Sequence, residues 1–164
     1  MELFDVVDCN RKSLNYTKQR GCELLENEYN EGIEVWIIND NKILITKRSM
    51  EKSHPGEWEV PGGCCQAGEK IIDTVIREMN EEIGTCITDK DVKLIDTKLY
   101  KKQFVDIFES NVKIDIKNVK LQKEEVSDVK FVSKKEFEEM NSNGKIVKSV
   151  YERYKLIKDK LNLK

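Results

Sequence analysis

The stretch Gly62–Gly84, GGCCQAGEKIIDTVIREMNEEIG, constrains the fold of this chain more than any other. From Glu69 to Ile83 the apolar residues Ile72, Val75, Ile76, Met79 and Ile83 recur at spacings of three or four. That periodicity makes one buried stripe on a helix. Glu78 stands one turn from Glu81 and Glu82, at i+3 and i+4, so the three carboxylates can approach each other. Arg77 precedes Glu81 by four residues and can pair with it. Pro61-Gly62-Gly63, just before, reads as a turn in which the main chain can come close to a ligand.

The segments around this helix supply a sheet for its apolar stripe. Leu3–Asp8 reads as a short strand and Asn10–Asn15 as a polar turn. Tyr16–Tyr29 carries no clear pattern. Ile33–Ile38 and Ile43–Thr46 are β-rich runs flanking Asn39-Asp40-Asn41-Lys42, a hairpin. Met50–Glu57 is a polar loop, and Trp58-Glu59-Val60 a short strand. After the helix, Val92–Tyr100 and Phe104–Ile116 read as strands, and a loop holding Glu124 and Glu125 leads into another at Val129–Val132. Ser133 and Glu136 form a capping-box pair opening a helix. Ile146, Val147, Val150, Tyr154, Ile157 and Leu161 mark an amphipathic C-terminal helix. The expected fold class is α/β, with a mixed sheet, the Glu-rich helix in mid-chain and helices at the end.

Composition narrows the function. At 164 residues the chain is expected to be one domain, with 37% charged residues on its surface. No run approaches the ~18 apolar residues that span a bilayer. The start, MELFDVVD, lacks a basic region followed by an apolar one, so a cytoplasmic location is expected. A net charge of −2 argues against a general nucleic-acid binder. The five cysteines (9, 22, 64, 65 and 86) are odd in number and form no C-x-x-C pair, which reads as a reducing compartment. His54 is the only histidine, so a multi-histidine metal site is excluded.

Two uses of the Glu-rich face are open. One is a solvated face laced with ion pairs. The other is a site for a divalent cation. Like charges at i and i+4 repel, and Arg77 alone offsets three of them. A hard cation removes the conflict. Mg²⁺ takes a few carboxylates, retained waters and substrate phosphates, and oxygen ligands without histidine suit it better than zinc.

From Gly63 the chain reads glycine, five residues, Glu69, seven residues, Arg77-Glu78, Met79, one residue, Glu81-Glu82, one residue, Gly84. This resembles the signature box of the Nudix (MutT-like) hydrolases. Every polar and glycine position of that box is matched, and only Thr85 departs, standing where an aliphatic residue is usual. The resemblance implies a Nudix-type α/β/α sandwich over residues 1–164, with the box at 63–85. It implies hydrolysis of a nucleoside diphosphate linked to another moiety, or of a similar small diphosphate, with Mg²⁺ or Mn²⁺. Carried over by position, Glu78, Glu81 and Glu82 are the metal cluster with the Gly63 carbonyl as a further ligand. One glutamate doubles as base, Glu69 supports the cluster, and Arg77 holds a carboxylate in place. Homodimers are common among similar proteins.

The stretch Ile45–Gly63 is also similar to a Nudix branch containing proteins like isopentenyl-diphosphate isomerase. That isomerase uses a catalytic cysteine and a histidine-rich metal site. Here glycine, near Gly62, stands where that cysteine would fall, and His54 is the only histidine. Pyrophosphate hydrolysis is therefore expected, with isomerisation and a non-catalytic nucleotide-binding module as alternatives. Outside the box, Arg48, Lys47 and Lys52 are candidate phosphate contacts, and Glu125 is a candidate base. Trp58 and Phe104 are candidate base-stacking rings, with core packing the expected role of Trp58. His54 is expected in a loop. Cys64 and Cys65 read as small space-fillers.

Overall fold

The computed structural model describes residues 2–164. Strands β1 (Leu3–Val7) and β2 (Ser13–Gln19) pair antiparallel as a small separate sheet. The polar run Ser13–Asn15, expected in a turn, is therefore strand. Its side chains are mostly exposed, so no apolar alternation marks it.

The main sheet has seven strands. β3 (Asn30–Asn39) and β4 (Lys42–Arg48) are joined by Asp40-Asn41, both with positive φ, at +50° and +61°. Two such residues favour a two-residue hairpin turn that matches strand twist. The other strands are β5 (Trp58–Glu59), β6 (Gly62–Cys64), β7 (Val92–Tyr100), β8 (Gln103–Ser110) and β9 (Val126–Ser133). Their order is β5-β4-β3-β8-β7, with β6 also on β3 and β9 also on β4. β3 and β8 are parallel and the other pairs antiparallel, so the sheet is mixed, as expected.

Alternation along the strands builds two cores. Ile33, Val35 and Ile37 of β3 and Leu44 of β4 pack beneath helix α1 (Ile71–Ile83), against Val75, Met79 and Ile83. Trp36, Ile38, Ile43 and Ile45 face the opposite way, under α2 (Lys134–Ser142) and α3 (Lys148–Ile157). The result is the expected α/β/α layering. Ser133 caps α2 as its sequence predicts, with the Glu136 carboxylate accepting from the Ser133 N–H at 2.6 Å. The six apolar residues of the C-terminal pattern are all buried.

The sheet is split where the site forms. β3 and β4 pair only at Ile38–Ile43 and Asn39–Lys42, then part. β5 and β6 line the two sides of the gap, and the Val35 N–H donates to the Pro61 carbonyl at 2.8 Å. Pro61-Gly62-Gly63 is thus not a turn. Gly62 and Gly63 lie in β6, opposite Glu34 and Ile33. The glycines serve close approach, since a Cβ on Gly62 would lie 2.3 Å from the Ile33 carbonyl oxygen. The strand expected at Phe104–Ile116 ends at Ser110.

Candidate active site

Helix α1 lies over the split sheet because Val75, Met79 and Ile83 are buried completely there. That anchoring carries the neighbouring positions Glu78 and Glu82 down onto β6. The Gly62 N–H donates to Glu82 Oε2 at 3.2 Å. A Cβ on Gly63 would sit 2.0 Å from Glu78 Oε1, so only glycine admits that carboxylate against the main chain. Glu82 is fully buried and Glu78 nearly so, and Glu82 Oε1 has no hydrogen-bond partner among the described residues.

The third carboxylate comes from elsewhere. Glu125, in the loop before β9, offers an oxygen that lies with one from Glu78 and one from Glu82 inside a mutual 4.8 Å. Two contacts hold it there. The Ser49 N–H donates to the Glu125 carbonyl at 2.9 Å, and Lys52 Nζ donates to its carboxylate at 2.8 Å. Glu81 stands apart from this trio, on the same helix but turned toward Arg77, with 39% of its side chain exposed.

Arg77 organises the flank. Its Nε and Nη2 donate to Glu69 at 2.6 and 3.0 Å, and its Nη1 to Glu78 at 2.8 Å and Glu81 at 3.0 Å. Nη2 also reaches the Cys64 carbonyl at 3.1 Å. Glu69 precedes α1 and accepts further bonds from the Gln66 N–H and the Thr74 hydroxyl.

The electrostatics divide the acids into two kinds. The Arg77 hydrogen bonds hold the Glu69 carboxyl down at about 2. Burial pushes Glu78 up to about 7, Arg77 opposing and Glu125 and Glu81 adding to the rise. Burial raises Glu82 as well, reinforced by Glu59 and Glu78. Burial is also the first cause of the rise at Glu59, which Arg48 and Lys52 oppose. Clustered, desolvated carboxylates with an unpartnered oxygen are the environment a hard cation relieves.

The remaining expected residues are placed as follows. Arg48 donates to Glu59 at 2.6 Å and to Ser53 Oγ at 3.0 Å, bracing the loop that carries Lys52. Lys47 lies near the Trp58 ring, and Trp58 is core, as expected. Phe104 packs on Tyr29, ring centroids 5.4 Å apart. His54 is an exposed loop residue on the pocket wall. Cys65 is buried and its thiol is pushed up to about 12 by that burial, so it stays protonated. Cys64 accepts from Gln103 Nε2 at 3.2 Å.

Sequence reasoning missed three residues here. Glu59 is charged yet lies between the buried Trp58 and Val60, a legible signal that was there to be read. Arg20, in the patternless segment after β2, and Arg153, on α3, both reach the pocket wall without any sequence mark. This pocket, of about 200 Å³, adjoins the carboxylates. A second opening of about 410 Å³, lined by Glu124 and Glu125, shares Arg20, Arg48, Lys52 and Ser53 with it.

The NUDIX domain family profile matches residues 28–153, which include every carboxylate just described. The chain belongs to the Nudix family. An uncharacterised Nudix hydrolase of Listeria monocytogenes is 31% identical over 150 residues, covering 90% of this chain and 89% of that protein. Nudix hydrolase 3 of Arabidopsis thaliana is 29% identical over 83% of this chain but 20% of its own length. Among solved structures, DR0079 from Deinococcus radiodurans has a similar fold, with a TM-score of 0.75 at 18% identity, covering 89% of this chain and 92% of that one. This Nudix protein is an enzyme, a hydrolase of pyrophosphate bonds in small molecules, of a family that uses a divalent metal. Among the described residues no helix is long and apolar enough to cross a membrane.

Proposed function

We propose that residues 1–164 act as one domain that hydrolyses a nucleoside diphosphate linked to another moiety, or a similar small diphosphate, with Mg²⁺ held by Glu78, Glu82 and Glu125. The observation that carries this reading is the buried, unpartnered Oε1 of Glu82 beside two further carboxylates. An all-oxygen donor set suits Mg²⁺, and Mn²⁺ after it. When bound, the ion neutralises pyrophosphate oxygens and lowers the pKa of a coordinated water.

The protein residues supply placement and proton handling. Gly63 admits the Glu78 carboxylate and is the main-chain candidate for a further ligand. Arg77 fixes Glu78 and Glu81 relative to each other. Glu81 is the most water-accessible of the four acids, which favours it as the base that takes the proton of the attacking water. Glu125 is the second candidate for that role. Arg48 and Lys52, with Arg20, bring positive charge to the pocket mouth, where phosphates would lie. Positioning and charge stabilisation of this kind account for most of the catalysis of an inert dianionic linkage. We include in this reading a homodimer, checked by sedimentation equilibrium.

The test is a product screen with Mg²⁺ over ADP-ribose, NADH, nucleotide sugars, dinucleoside polyphosphates, nucleoside triphosphates and isopentenyl diphosphate. Glu81→Gln and Glu82→Gln are run beside the wild type. Phosphomonoester products from one class, lost in both variants, are expected. Turnover that survives Glu82→Gln, or an isomer of isopentenyl diphosphate as the product, overturns the proposal.

A further inference from the structure

Glu125 is the one member of the carboxylate trio that α1 does not carry, so other contacts must hold it against Glu78 and Glu82. It stands just ahead of β9, beside a break in register. Lys47 pairs with Asp128 but Arg48 with Val126, and Ser127 is left over. Such an irregularity re-aims the chain next to it. Across from it lies the Ser49–Gly56 loop, whose Ser49 and Lys52 make the two contacts to Glu125. Ser49 Oγ also donates to the Glu124 carbonyl. Met50, Glu51, Ser53, His54 and Pro55 are all exposed, so packing does not fix this loop.

Arg48 fixes it instead. At the neck of the loop its N–H donates to the Glu57 carbonyl at 2.9 Å, and its carbonyl accepts from the Gly56 N–H at 3.1 Å. Its guanidinium then crosses the loop. Nε donates to the Ser53 carbonyl, Nη2 to Ser53 Oγ at 3.0 Å, and Nη1 to Glu59 at 2.6 Å. The Arg48 and Glu59 side chains are only 13% and 14% exposed. Glu59 is itself set in β5, opposite Thr46, at the split in the sheet.

We infer that Arg48, seated on Glu59, is a positioning residue: it holds the Ser49–Gly56 loop in the shape that sets Glu125 in the trio. The inference rests on the reading of Glu125 as a metal ligand. All three guanidinium nitrogens donate to the protein, and a planar fork makes directed bonds together that the point charge of a lysine does not. Loss of a group that orients a metal ligand costs about 10- to 100-fold in metal affinity. A residue that only touched a substrate phosphate would leave metal affinity unchanged when no phosphate is present.

Calorimetric titration of Mg²⁺ in phosphate-free buffer tests this, with Arg48→Lys, Glu125→Gln, the two combined, and Ser53→Ala. Melting curves in EDTA check each fold. Arg48→Lys is expected to weaken Mg²⁺ binding about tenfold, and the combined variant to bind no more weakly than Glu125→Gln alone, because Arg48 acts through Glu125. Ser53→Ala removes one exposed bond of the brace and leaves the fold intact. It is expected to weaken Mg²⁺ binding about threefold, and it decides the matter by itself if Arg48→Lys does not fold. Unchanged affinity in Arg48→Lys or in Ser53→Ala overturns the inference, as do losses that add in the combined variant. The readings separate at Glu125→Gln. If that variant loses affinity and Arg48→Lys does not, this inference alone falls; if Glu125→Gln binds Mg²⁺ as the wild type does, the trio falls and takes the inference with it.

Discussion

Glu78→Gln should make the metal-free protein more stable at pH 8 and deaf to Mg²⁺. The Glu78 carboxyl is raised from the ordinary 4.5 to about 7, chiefly by burial. Because the folded chain holds this proton more tightly than the unfolded chain, stability falls as pH rises from 4.5 through 7. Across that window the loss is roughly 3 kcal/mol, at about 1.4 kcal/mol per pH unit. The amide does not ionise and escapes the loss; the pull of Arg77 on the charged carboxylate is already contained in the value of about 7. The net gain is about 3 kcal/mol above pH 7, or about 6–12 °C in Tm for a chain of this size. At pH 4.5 the gain should vanish. Thermal unfolding in EDTA at pH 4.5, 6 and 8 measures this. Repeating it with excess Mg²⁺ should raise the Tm of the wild type, the stabilisation being about 2.7 kcal/mol at a hundredfold excess over Kd, and leave the variant unmoved. A variant less stable than wild type at pH 8, or one that keeps the Mg²⁺ shift, would refute the reasoning.

Other substitutions probe the site from different sides. Gly63→Ala drives a Cβ into the Glu78 carboxylate, whose flexible end can swing away; Mg²⁺ affinity by calorimetry should fall at least about tenfold while Tm in EDTA changes by only a few degrees. Arg77→Lys keeps the charge but cannot reproduce the fork to Glu69, Glu78 and Glu81, so kcat should drop about 10- to 100-fold. Lys52→Ala removes a cation from the pocket mouth and frees the Glu125 carboxylate it holds, so steady-state kinetics should show KM raised about tenfold and kcat lowered with it. For the wild type, the Mg²⁺-induced rise in Tm should be larger at pH 8 than at pH 5, because protons compete with the ion for Glu78 and Glu82.

What the sequence made legible follows from how local each feature is. The α1 stripe, the Asp40-Asn41 hairpin and the Ser133 cap are short-range patterns, and each appears where it was read. The Pro61-Gly62-Gly63 segment was misread because glycine has two uses, positive φ and close approach, and only the second applies in β6. The segment Asn111–Ile116 reads as strand because Val112, Ile114 and Ile116 alternate with polar residues. In the structure Val112, Ile114 and Ile116 do pack on the core, but the Asn39 side chain replaces the ladder there, accepting from the Ile114 N–H and donating to the Val112 carbonyl. β2 was lost because an exposed edge strand needs no apolar face. At the site, the i, i+4 spacing of Glu78 and Glu82 brought those two together, whereas Arg77 draws Glu81 aside. The partner that completes the trio, Glu125, is 43 positions from Glu82, and only the split sheet with its tied loops brings it in.

The most direct measurement is the position of the metal. Anomalous diffraction from crystals soaked in Mn²⁺ should give a peak bounded by the carboxylates of Glu78, Glu82 and Glu125. A peak held by other residues, or a clear map with none between these three, would contradict the account.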